Sequence, residues 1–273
     1  MTGERSKLGI LAGGGELPRL LIQTCRDQTR DVFVVAFKDQ CDPQTTEGVD
    51  HAWVRLGAAG QAIKHLRDNG VEELVMAGRI KRPGVAALMP DTRALKFIAG
   101  GVMNRGDDGL LSHIVEILET QEGFGMVGVH DVMPELLSPE GVIGAVRPGA
   151  DSQADIEAAV HAALELGMAD RGQAAVACGG EVVALEGKDG TDAMLKRLAQ
   201  NRQGEGGVLA KMVKPGQERR ADLPAIGQAT IENAHAAGLK GIAVEAGGSI
   251  IVGRAAVVDA ADRLGLFVVG VRP

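Results

Sequence analysis

Aromatic residues are scarce in this chain of 273 residues: they make up 2% of it, with no Tyr and one Trp. Hydrophobic cores must therefore be aliphatic, and the hydrophobic content of 45% is enough to build them. Single-stranded nucleic acids are usually bound through aromatic stacking, and a formal net charge of -7 opposes a broad grip on any nucleic acid. We expect no nucleic-acid partner.

Features of secreted and membrane-spanning proteins are also missing. The three cysteines, Cys25, Cys41 and Cys178, form no CxxC pair, which is typical of a reducing compartment. The first apolar run is too short for a signal peptide, and no apolar stretch approaches the roughly 20 residues that span a bilayer. The sequence predicts a soluble, cytoplasmic protein, and it leaves open whether that protein contacts a membrane from outside.

Motifs for covalent and nicotinamide chemistry are absent as well. There is no GxSxG elbow and no HExxH, and no cysteine has an evident activating partner. The stretch LAGGGELP is neither GxGxxG nor a phosphate loop, and Asp39 is the nearest acidic residue to the end of the second strand. A nicotinamide oxidoreductase is therefore disfavoured, and water activated by a metal ion is the better hypothesis for any hydrolysis.

Strand and helix patterns alternate in the first half of the chain. Apolar strand-like runs lie near residues 7–12 and at 31–37, 73–78 and 125–129, and helical spacing recurs at 16–27, 60–70, 91–99 and 108–121. Such alternation predicts an α/β fold with a parallel sheet covered by helices. We assign residues 1–132 to a Rossmann-like domain.

The second half has a mixed pattern. Residues 133–151 are rich in Pro and Gly without clear periodicity, so we expect them to link two domains. Gly179-Gly180 between two apolar runs predicts a hairpin. Further helices are expected at 152–166, 191–200, 228–237 and 254–264, with strands at 207–213, 241–246, 249–253 and 266–271. Residues 152–273 are therefore predicted to form a mixed α/β (α+β) domain.

Glycines and a cation follow two of the predicted parallel strands. Gly13, Gly14 and Gly15 stand between the first strand and its helix, where backbone N–H groups can approach a phosphate. Gly78 and Arg79 close another strand and would reach the same edge of the sheet. A tight turn and a solvated loop are the alternative interpretations.

Cations are concentrated in the stretch KMVKPGQERRADLP, which begins at residue 211. Pro215 and Gly216 predict a tight turn that would direct neighbouring side chains into one concavity. The charged and amide side chains here are Lys211, Lys214, Gln217, Glu218, Arg219, Arg220 and Asp222. The stretch suits a phosphate-rich ligand with its metal ion, while a solvated charged face is the alternative.

Two further acidic groups could serve a divalent ion such as Mg²⁺, which prefers carboxylate oxygens, water and substrate phosphate. Asp107 and Asp108 precede a predicted helix, where capping is a competing explanation. The other group comprises Glu186, Asp189, Thr191 and Asp192. Here too Thr191 or Asp189 could be the helix N-cap, with Asp192 in the first turn.

Taken in order, the motifs LGILAGGGELP, AGRIKRP, GDDGLL, GTDAML and KMVKPGQERRADLPAIGQATI closely resemble the I-type UDP-2,3-diacylglucosamine pyrophosphatases of lipid A biosynthesis. The resemblance runs nearly end to end. It implies a Rossmann-like domain and a C-terminal catalytic domain with the ligand between them, and Mg²⁺-dependent hydrolysis of UDP-2,3-diacylglucosamine, a lipid-linked nucleotide sugar, to UMP and lipid X (2,3-diacylglucosamine 1-phosphate). It further implies a homodimer and transient, peripheral contact with the inner membrane from the cytoplasm.

The resemblance also implies roles for individual residues, at the positions of this sequence that match the family's motifs. The resemblance implies catalytic roles for Asp222, Asp192, Lys211 and Lys214, with Mg²⁺ held by Asp222 and Asp192. The implied substrate-binding residues are Gly13, Gly14, Gly15, Gly78, Arg79, Thr191, Gln217 and Arg220. Glu218 stands where the family pattern leads us to expect Asp, and Asp189 where we expect Glu, so both keep the charge with a different reach.

Two questions stay open at this point. Residues 84–90 and 97–103 are candidates for an apolar groove that takes the lipid chains, but ordinary helix packing is the favoured interpretation. A non-catalytic protein that binds nucleotide sugars or phospholipids is the alternative to the enzyme.

Overall fold

The computed structural model describes residues 6–81, 89–99 and 107–273, without the side chains of 96–99, 107 and 108. The chain forms two compact units. The first comprises Met1–Pro134 and Glu218–Asp222, and the second comprises Glu135–Gln217 and Leu223–Pro273. A short segment from the second half of the chain thus belongs to the first unit.

The first unit is built on a five-stranded sheet with the order β3-β2-β1-β4-β5, in which every pairing is parallel. Its strands are β1 (Leu8–Ala12), β2 (Val32–Phe37), β3 (His51–Val54), β4 (Glu73–Ala77) and β5 (Gly125–Met126). The central strands β1, β2 and β4 are mostly aliphatic, and most of their residues are buried, as expected for a sheet covered on both faces. The predicted parallel α/β fold is confirmed.

Five helices accompany this sheet in the described part of the unit: α1 (Leu17–Asp27), α2 (Ala59–Asp68), α3 (Thr92–Ala99), α4 (Asp107–Thr120) and α5 (Val129–Val132). In α1, Pro18 stands in the first turn, and Leu21, Ile22 and Cys25 form its buried face. The helices predicted at 60–70, 91–99 and 108–121 are confirmed to within two residues. The strand predicted at 125–129 is shorter, because α5 begins at Val129.

The second unit contains a six-stranded sheet with the order β6-β13-β11-β9-β7-β8 and a separate parallel pair, β10-β12. The strands are β6 (Gly141–Ile143), β7 (Ala174–Cys178), β8 (Glu181–Leu185), β9 (Val208–Lys211), β10 (Ala225–Ile226), β11 (Gly241–Glu245), β12 (Ile250–Ile251) and β13 (Phe267–Val271). Strands β9, β11 and β13 are parallel, whereas β6, β7 and β8 pair antiparallel. The predicted mixed architecture is confirmed.

Four helices complete this unit: α6 (Gln153–Met168), α7 (Thr191–Asn201), α8 (Gln228–Ala236) and α9 (Arg254–Leu264). Short 3-10 turns lie at Pro43–Thr46, Pro134–Leu136 and Ala150–Ser152 along the chain. Strand β6 lies inside the stretch 133–151 that we expected to be a linker, and it pairs with β13 at one edge of the sheet. None of the helices in the described ranges has the length and apolar character needed to cross a bilayer.

The hairpin predicted at Gly179-Gly180 is confirmed, and a buried carboxylate supports it. Both glycines have positive φ, as a two-residue hairpin turn requires. Asp155 on α6 is 1% exposed, and its Oδ1 accepts a hydrogen bond from the Gly180 N–H at 2.7 Å. Its Oδ2 lies 3.0 Å from Lys240 Nζ, which also contacts the exposed Asp151 at 3.2 Å.

Asp155 and Asp151 should differ in their contribution to the free energy of unfolding. Asp155→Ala removes a buried partner of Lys240 and leaves the Gly180 N–H without its acceptor, so we expect it to lower the free energy of unfolding by about 2 kcal/mol. Asp151→Ala removes an exposed partner of the same ammonium group and should cost about 0.5 kcal/mol or less. Urea unfolding measures both. Equal losses in the two variants would contradict this account.

Candidate functional site

The three consecutive glycines lie between β1 and α1, as predicted. Their N–H groups, however, all donate to other atoms of the first unit. The acceptors are the Ala77 carbonyl for Gly13 at 2.8 Å, the Arg79 carbonyl for Gly14 at 2.9 Å and Asp42 Oδ2 for Gly15 at 2.9 Å. The loop is hydrogen-bonded by the protein itself, so these N–H groups are not an open phosphate cradle in this structure.

Close packing of backbone on backbone explains the glycines. A Cβ on Gly13 would lie 2.5 Å from the Arg79 carbonyl oxygen, and one on Gly14 would lie 2.7 Å from the Gln40 carbonyl oxygen. Gly78 has a φ of +94°, and a Cβ there would lie 2.8 Å from Gly14 O. The loops after β1 and β4 therefore touch through main-chain atoms, and the assignment of their glycines to substrate binding stays a prediction.

Arg79 is held by its backbone and exposed at its side chain. Its N–H and carbonyl exchange hydrogen bonds with Gly14 at 2.8 and 2.9 Å, which form an isolated antiparallel bridge. Within residues 6–81, 89–99 and 107–273, its guanidinium has no hydrogen-bond or ion-pair partner. An exposed guanidinium at the carboxyl end of a parallel sheet can bind an anionic group.

The predicted turn at Pro215 and Gly216 is present in the second unit. The Gln217 N–H donates to the Lys214 carbonyl at 3.2 Å, and Gly216 has a φ of +77°. Pro followed by a glycine with positive φ is the signature of a type II turn. The buried Gln217 closes the turn from the other side, because its Oε1 accepts the Lys214 N–H at 3.1 Å.

Both lysines of this stretch contact oxygen atoms of the same unit. Lys211 ends β9, and its Nζ donates to the Ala225 carbonyl at 3.0 Å. Lys214 Nζ lies 3.2 Å from Asp170 Oδ1, and its side chain is 13% exposed. The two ammonium groups are thus fixed in position before any ligand binds.

Arg220 is bound by two carboxylates. Its Nε and Nη2 each donate to one oxygen of Glu218 at 2.9 Å, and its Nη1 donates to Glu119 Oε1 at 2.6 Å. The hydrogen bonds from Arg220 hold the pKa of Glu218 below its ordinary value, and those contacts raise the pKa of Arg220. The Glu218 contribution to stability is therefore present above the ordinary pKa of a glutamate and is lost as the pH falls through the lowered value.

Asp222 lies at the end of the segment that belongs to the first unit. The N–H groups of Ala221 and Asp222 both donate to the Glu218 carbonyl, at 3.0 and 2.9 Å. The Ala221 side chain packs against the hydrophobic core of that unit. The segment is therefore a compact turn, fixed by the Arg220 ion pairs and by one apolar contact.

The second acidic group is arranged differently from our expectation. Gly190, with a φ of +86°, is the N-cap of α7, so the interpretation of Thr191 or Asp189 as the cap is wrong. Thr191 Oγ1 donates to Glu186 Oε1 at 2.5 Å, and Asp189 pairs with Arg197. That pairing lowers the pKa of Asp189, chiefly through the Arg197 hydrogen bond.

Asp192 stands in the first turn of α7, as predicted, and is exposed. Its Oδ1 accepts a hydrogen bond from Asn233 Nδ2 on α8 at 3.1 Å. Among the described residues, no three His, Cys, Asp or Glu side chains lie close enough together to form a metal site by themselves. A fully protein-built cage is therefore not present in that part of the chain.

The donor chemistry nevertheless fits Mg²⁺. This ion is usually held by one or two carboxylates together with water and substrate phosphates, rather than by a dedicated protein cage. Asp222 and Asp192 supply carboxylates of that kind. Each of them, Asp222 in the first unit and Asp192 in the second, has the ligand chemistry of an ion that binds together with a phosphorylated substrate.

Three residues that contact the predicted site residues were missed from the sequence: Asp42, Glu119 and Asp170. Each is a carboxylate remote in sequence from its partner. No local motif marks them, because a long-range contact depends on tertiary structure. Glu186, which accepts the Thr191 hydroxyl, was already among the acidic residues that the sequence singled out.

Some predictions concern residues for which the structure gives no side chains or no description. The side chains of Asp107 and Asp108 are among them, as are most residues of the groove candidates 84–90 and 97–103.

The protein thus has an α/β fold in two units. Its candidate site residues are cations and aspartates, which have the chemistry to bind a phosphate-containing ligand. The family model of the LpxI N-terminal domain matches residues 7–136, and that of the LpxI C-terminal domain matches residues 139–269. The chain belongs to the LpxI family, which confirms the resemblance seen in its motifs.

A relative from Caulobacter vibrioides is 44% identical over 276 aligned positions, covering 98% of each chain, and is named UDP-2,3-diacylglucosamine pyrophosphatase LpxI. Two solved structures are more distant. N5-carboxyaminoimidazole synthase from Aspergillus clavatus is 15% identical, with 53% of this chain and 33% of that chain covered and a TM-score of 0.26. CobK precorrin-6A reductase is 14% identical, with 98% and 90% covered and a TM-score of 0.35. At these TM-scores neither likeness bears on fold or function.

Gly15 and Gly78 both have a φ of +94°, so comparing them tests the close packing of the loops after β1 and β4. A Cβ on Gly15 would meet nothing within 4 Å, whereas a Cβ on Gly78 would strike backbone atoms of Gly13 and Gly14. We expect Gly15→Ala to destabilise by about 1–3 kcal/mol through backbone strain alone, and Gly78→Ala to cost more than Gly15→Ala. Urea unfolding compares the variants, and a Gly78→Ala loss no larger than that of Gly15→Ala would contradict the account.

Proposed function

We propose that the protein is a UDP-2,3-diacylglucosamine pyrophosphatase, a Mg²⁺-dependent enzyme of lipid A biosynthesis that releases UMP and 2,3-diacylglucosamine 1-phosphate (lipid X). The observation that carries the proposal is the end-to-end match to the Caulobacter relative of that name. The candidate residues support it, because cations and carboxylates together suit a diphosphate and its metal ion.

Hydrolysis of a diphosphate needs neutralisation of negative charge above all. Lys211 and Lys214 would supply it from the second unit, because their ammonium groups are already held by Ala225 and Asp170. Groups positioned in advance stabilise a transition state without reorganising during the reaction. Arg79 would bind an anionic part of the substrate, since its guanidinium is exposed.

Asp222 is the proposed principal carboxylate, with Asp192 as its companion. Both would hold Mg²⁺, which when bound lowers the negative charge on phosphoryl oxygens. Asp222 suits the role because its backbone is fixed in a short turn by the hydrogen bond to Glu218. Thr191 and Gln217 would contact the substrate from rigid positions, since both are buried and hydrogen-bonded.

Two parts of the proposal rest on the resemblance alone. They are the homodimer and the transient, peripheral association with the cytoplasmic face of the inner membrane, where a lipid-linked nucleotide sugar would be met. Vesicle flotation and the mass measured in solution by light scattering test them separately from activity.

A non-catalytic protein that binds nucleotide sugars or phospholipids is the second candidate. The observation in its favour is that Arg220 is paired with two carboxylates, Glu218 and Glu119, which already balance its positive charge. Such a protein would bind the substrate tightly and release no UMP with Mg²⁺.

Loss of the Asp222 carboxylate should nearly abolish turnover. We expect Asp222→Ala and the isosteric Asp222→Asn to lower kcat by roughly 10²–10³, by analogy with the removal of one preorganised electrostatic group. Circular dichroism should be unchanged, and Asp259→Ala, which alters an exposed aspartate on α9, should keep the wild-type rate. Both Asp222 variants retaining wild-type kcat would rule out this assignment.

Metal removal tests the cofactor and separates the two candidates. Purified protein is incubated with UDP-2,3-diacylglucosamine with and without EDTA, and UMP is measured by chromatography. We expect UMP formation to stop with EDTA and to return when excess Mg²⁺ is added. Full activity in EDTA would contradict the metal requirement, and tight binding without any UMP would establish the non-catalytic candidate.

A further inference from the structure

The segment 218–222 is joined to the first unit by a contact between distant parts of the sequence. Arg220 Nη1 donates to Glu119 Oε1 at 2.6 Å, although the two residues are 101 positions apart. Both side chains are about one third exposed. The pair is therefore partly shielded from water, and a short, charge-assisted hydrogen bond of this kind is stronger than a neutral one.

The two carboxylates that bind Arg220, those of Glu218 and Glu119, have different structural roles. Glu218 binds Nε and Nη2 from within the same segment, so its contacts fold the segment onto itself. Glu119 lies in the last turn of α4, whose Val115 and Leu118 are buried in the core of the first unit. Only the second contact ties the segment to a rigid helix.

Hydrogen bonds, joined by the covalent bonds of Glu218, connect that helix to the backbone of Asp222. Glu119 holds Nη1 of Arg220, Arg220 holds both oxygens of Glu218, and the Glu218 carbonyl accepts the Asp222 N–H at 2.9 Å. The orientation of the Asp222 backbone therefore depends on the position of the Arg220 guanidinium. The ion pair with Glu119 in turn orients that guanidinium relative to the helix.

We propose that Glu119 is a positioning residue for the reaction: it fixes Arg220 and, through Arg220 and Glu218, the carboxylate of Asp222. The inference deepens the proposed function and rests on it. Nothing in the sequence around Glu119 marks it, and the contact through which it acts is its ion pair with Arg220. Its effect is transmitted through the geometry of the segment 218–222.

The expected consequence is a loss in kcat rather than in substrate binding. A shift of about 1 Å in a group that acts in the transition state can cost up to roughly 10²-fold in rate. We expect Glu119→Gln, which keeps the shape and removes the charge, to lower kcat about tenfold or more while KM changes less than about threefold. Glu116→Gln, on the exposed side of the same helix, is the matched control and should keep wild-type values.

Hydrogen exchange provides a readout that needs no substrate. The Ala221 and Asp222 amides donate to the Glu218 carbonyl, so their exchange reports whether the segment is held. We expect faster exchange of the peptide that covers 218–222 in Glu119→Gln and wild-type exchange in Glu116→Gln. Unchanged exchange in Glu119→Gln would overturn the inference.

A double-mutant cycle tests the route of the effect. If Glu119 acts through Arg220, Glu119→Gln should change kcat less than about twofold in an Arg220→Gln background. A full additional loss in that background, or wild-type kcat in Glu119→Gln alone, would overturn the inference while leaving the function in place. A wild-type protein that releases no UMP would overturn the function, and the inference with it.

Discussion

The guanidinium of Arg220 is the contact on which the candidate site depends most directly. It binds Glu218 through two nitrogens and Glu119 through a third, so a five-residue segment from the second half of the chain is held in the first unit. Arginine is suited to this role because its planar fork fixes direction as well as charge. A lysine could neutralise either glutamate but could not bind one through two fixed nitrogens and the other through a third. The location of Asp222 thus follows from a structural ion pair rather than from the local sequence.

A second constraint acts at the carboxyl end of the parallel sheet, where the loops after β1 and β4 meet. Their contact is made by main-chain atoms of Gly13, Gly14 and Gly78, and any side chain there would overlap a neighbouring carbonyl. The Gly15 N–H donates to the Asp42 carboxylate, so a protein anion already occupies that donor. Glycines in such a loop are commonly interpreted as a phosphate cradle. In this protein the glycines allow the two loops to pack closely against each other. The exposed Arg79 is the better candidate for contact with an anion.

The sequence predicted the fold well where the pattern was local. Parallel strands appear as aliphatic runs, the Gly179-Gly180 hairpin needs two positive φ angles, and the Pro215-Gly216 turn needs only its own residues. Strand β3 was missed because His51–Val54 is short and half exposed. Strand β6 was missed because Gly141–Ile143 is a three-residue edge strand in a stretch rich in Pro and Gly. The ion pairs of Lys214 with Asp170 and of Arg220 with Glu119 join residues 44 and 101 positions apart, so no spacing rule reveals them.

These pairings change the electrostatic description of the site. The cations proposed to act on the substrate are Arg79, Lys211, Lys214 and Arg220. The carboxylates proposed for the site or paired with those cations are Glu119, Asp170, Asp192, Glu218 and Asp222. Within the first unit three of these carboxylates accompany two of the cations, and within the second unit there are two of each, so neither unit has an excess of positive charge among these groups. Attraction of a doubly charged diphosphate by these side chains alone would therefore be weak. The divalent cation that we propose to bind with the substrate would reverse this balance, because it would neutralise carboxylate and phosphate oxygens together. The interleaving of acids and bases between residues 211 and 222 is thus more consistent with a metal-dependent site than with a purely cationic one.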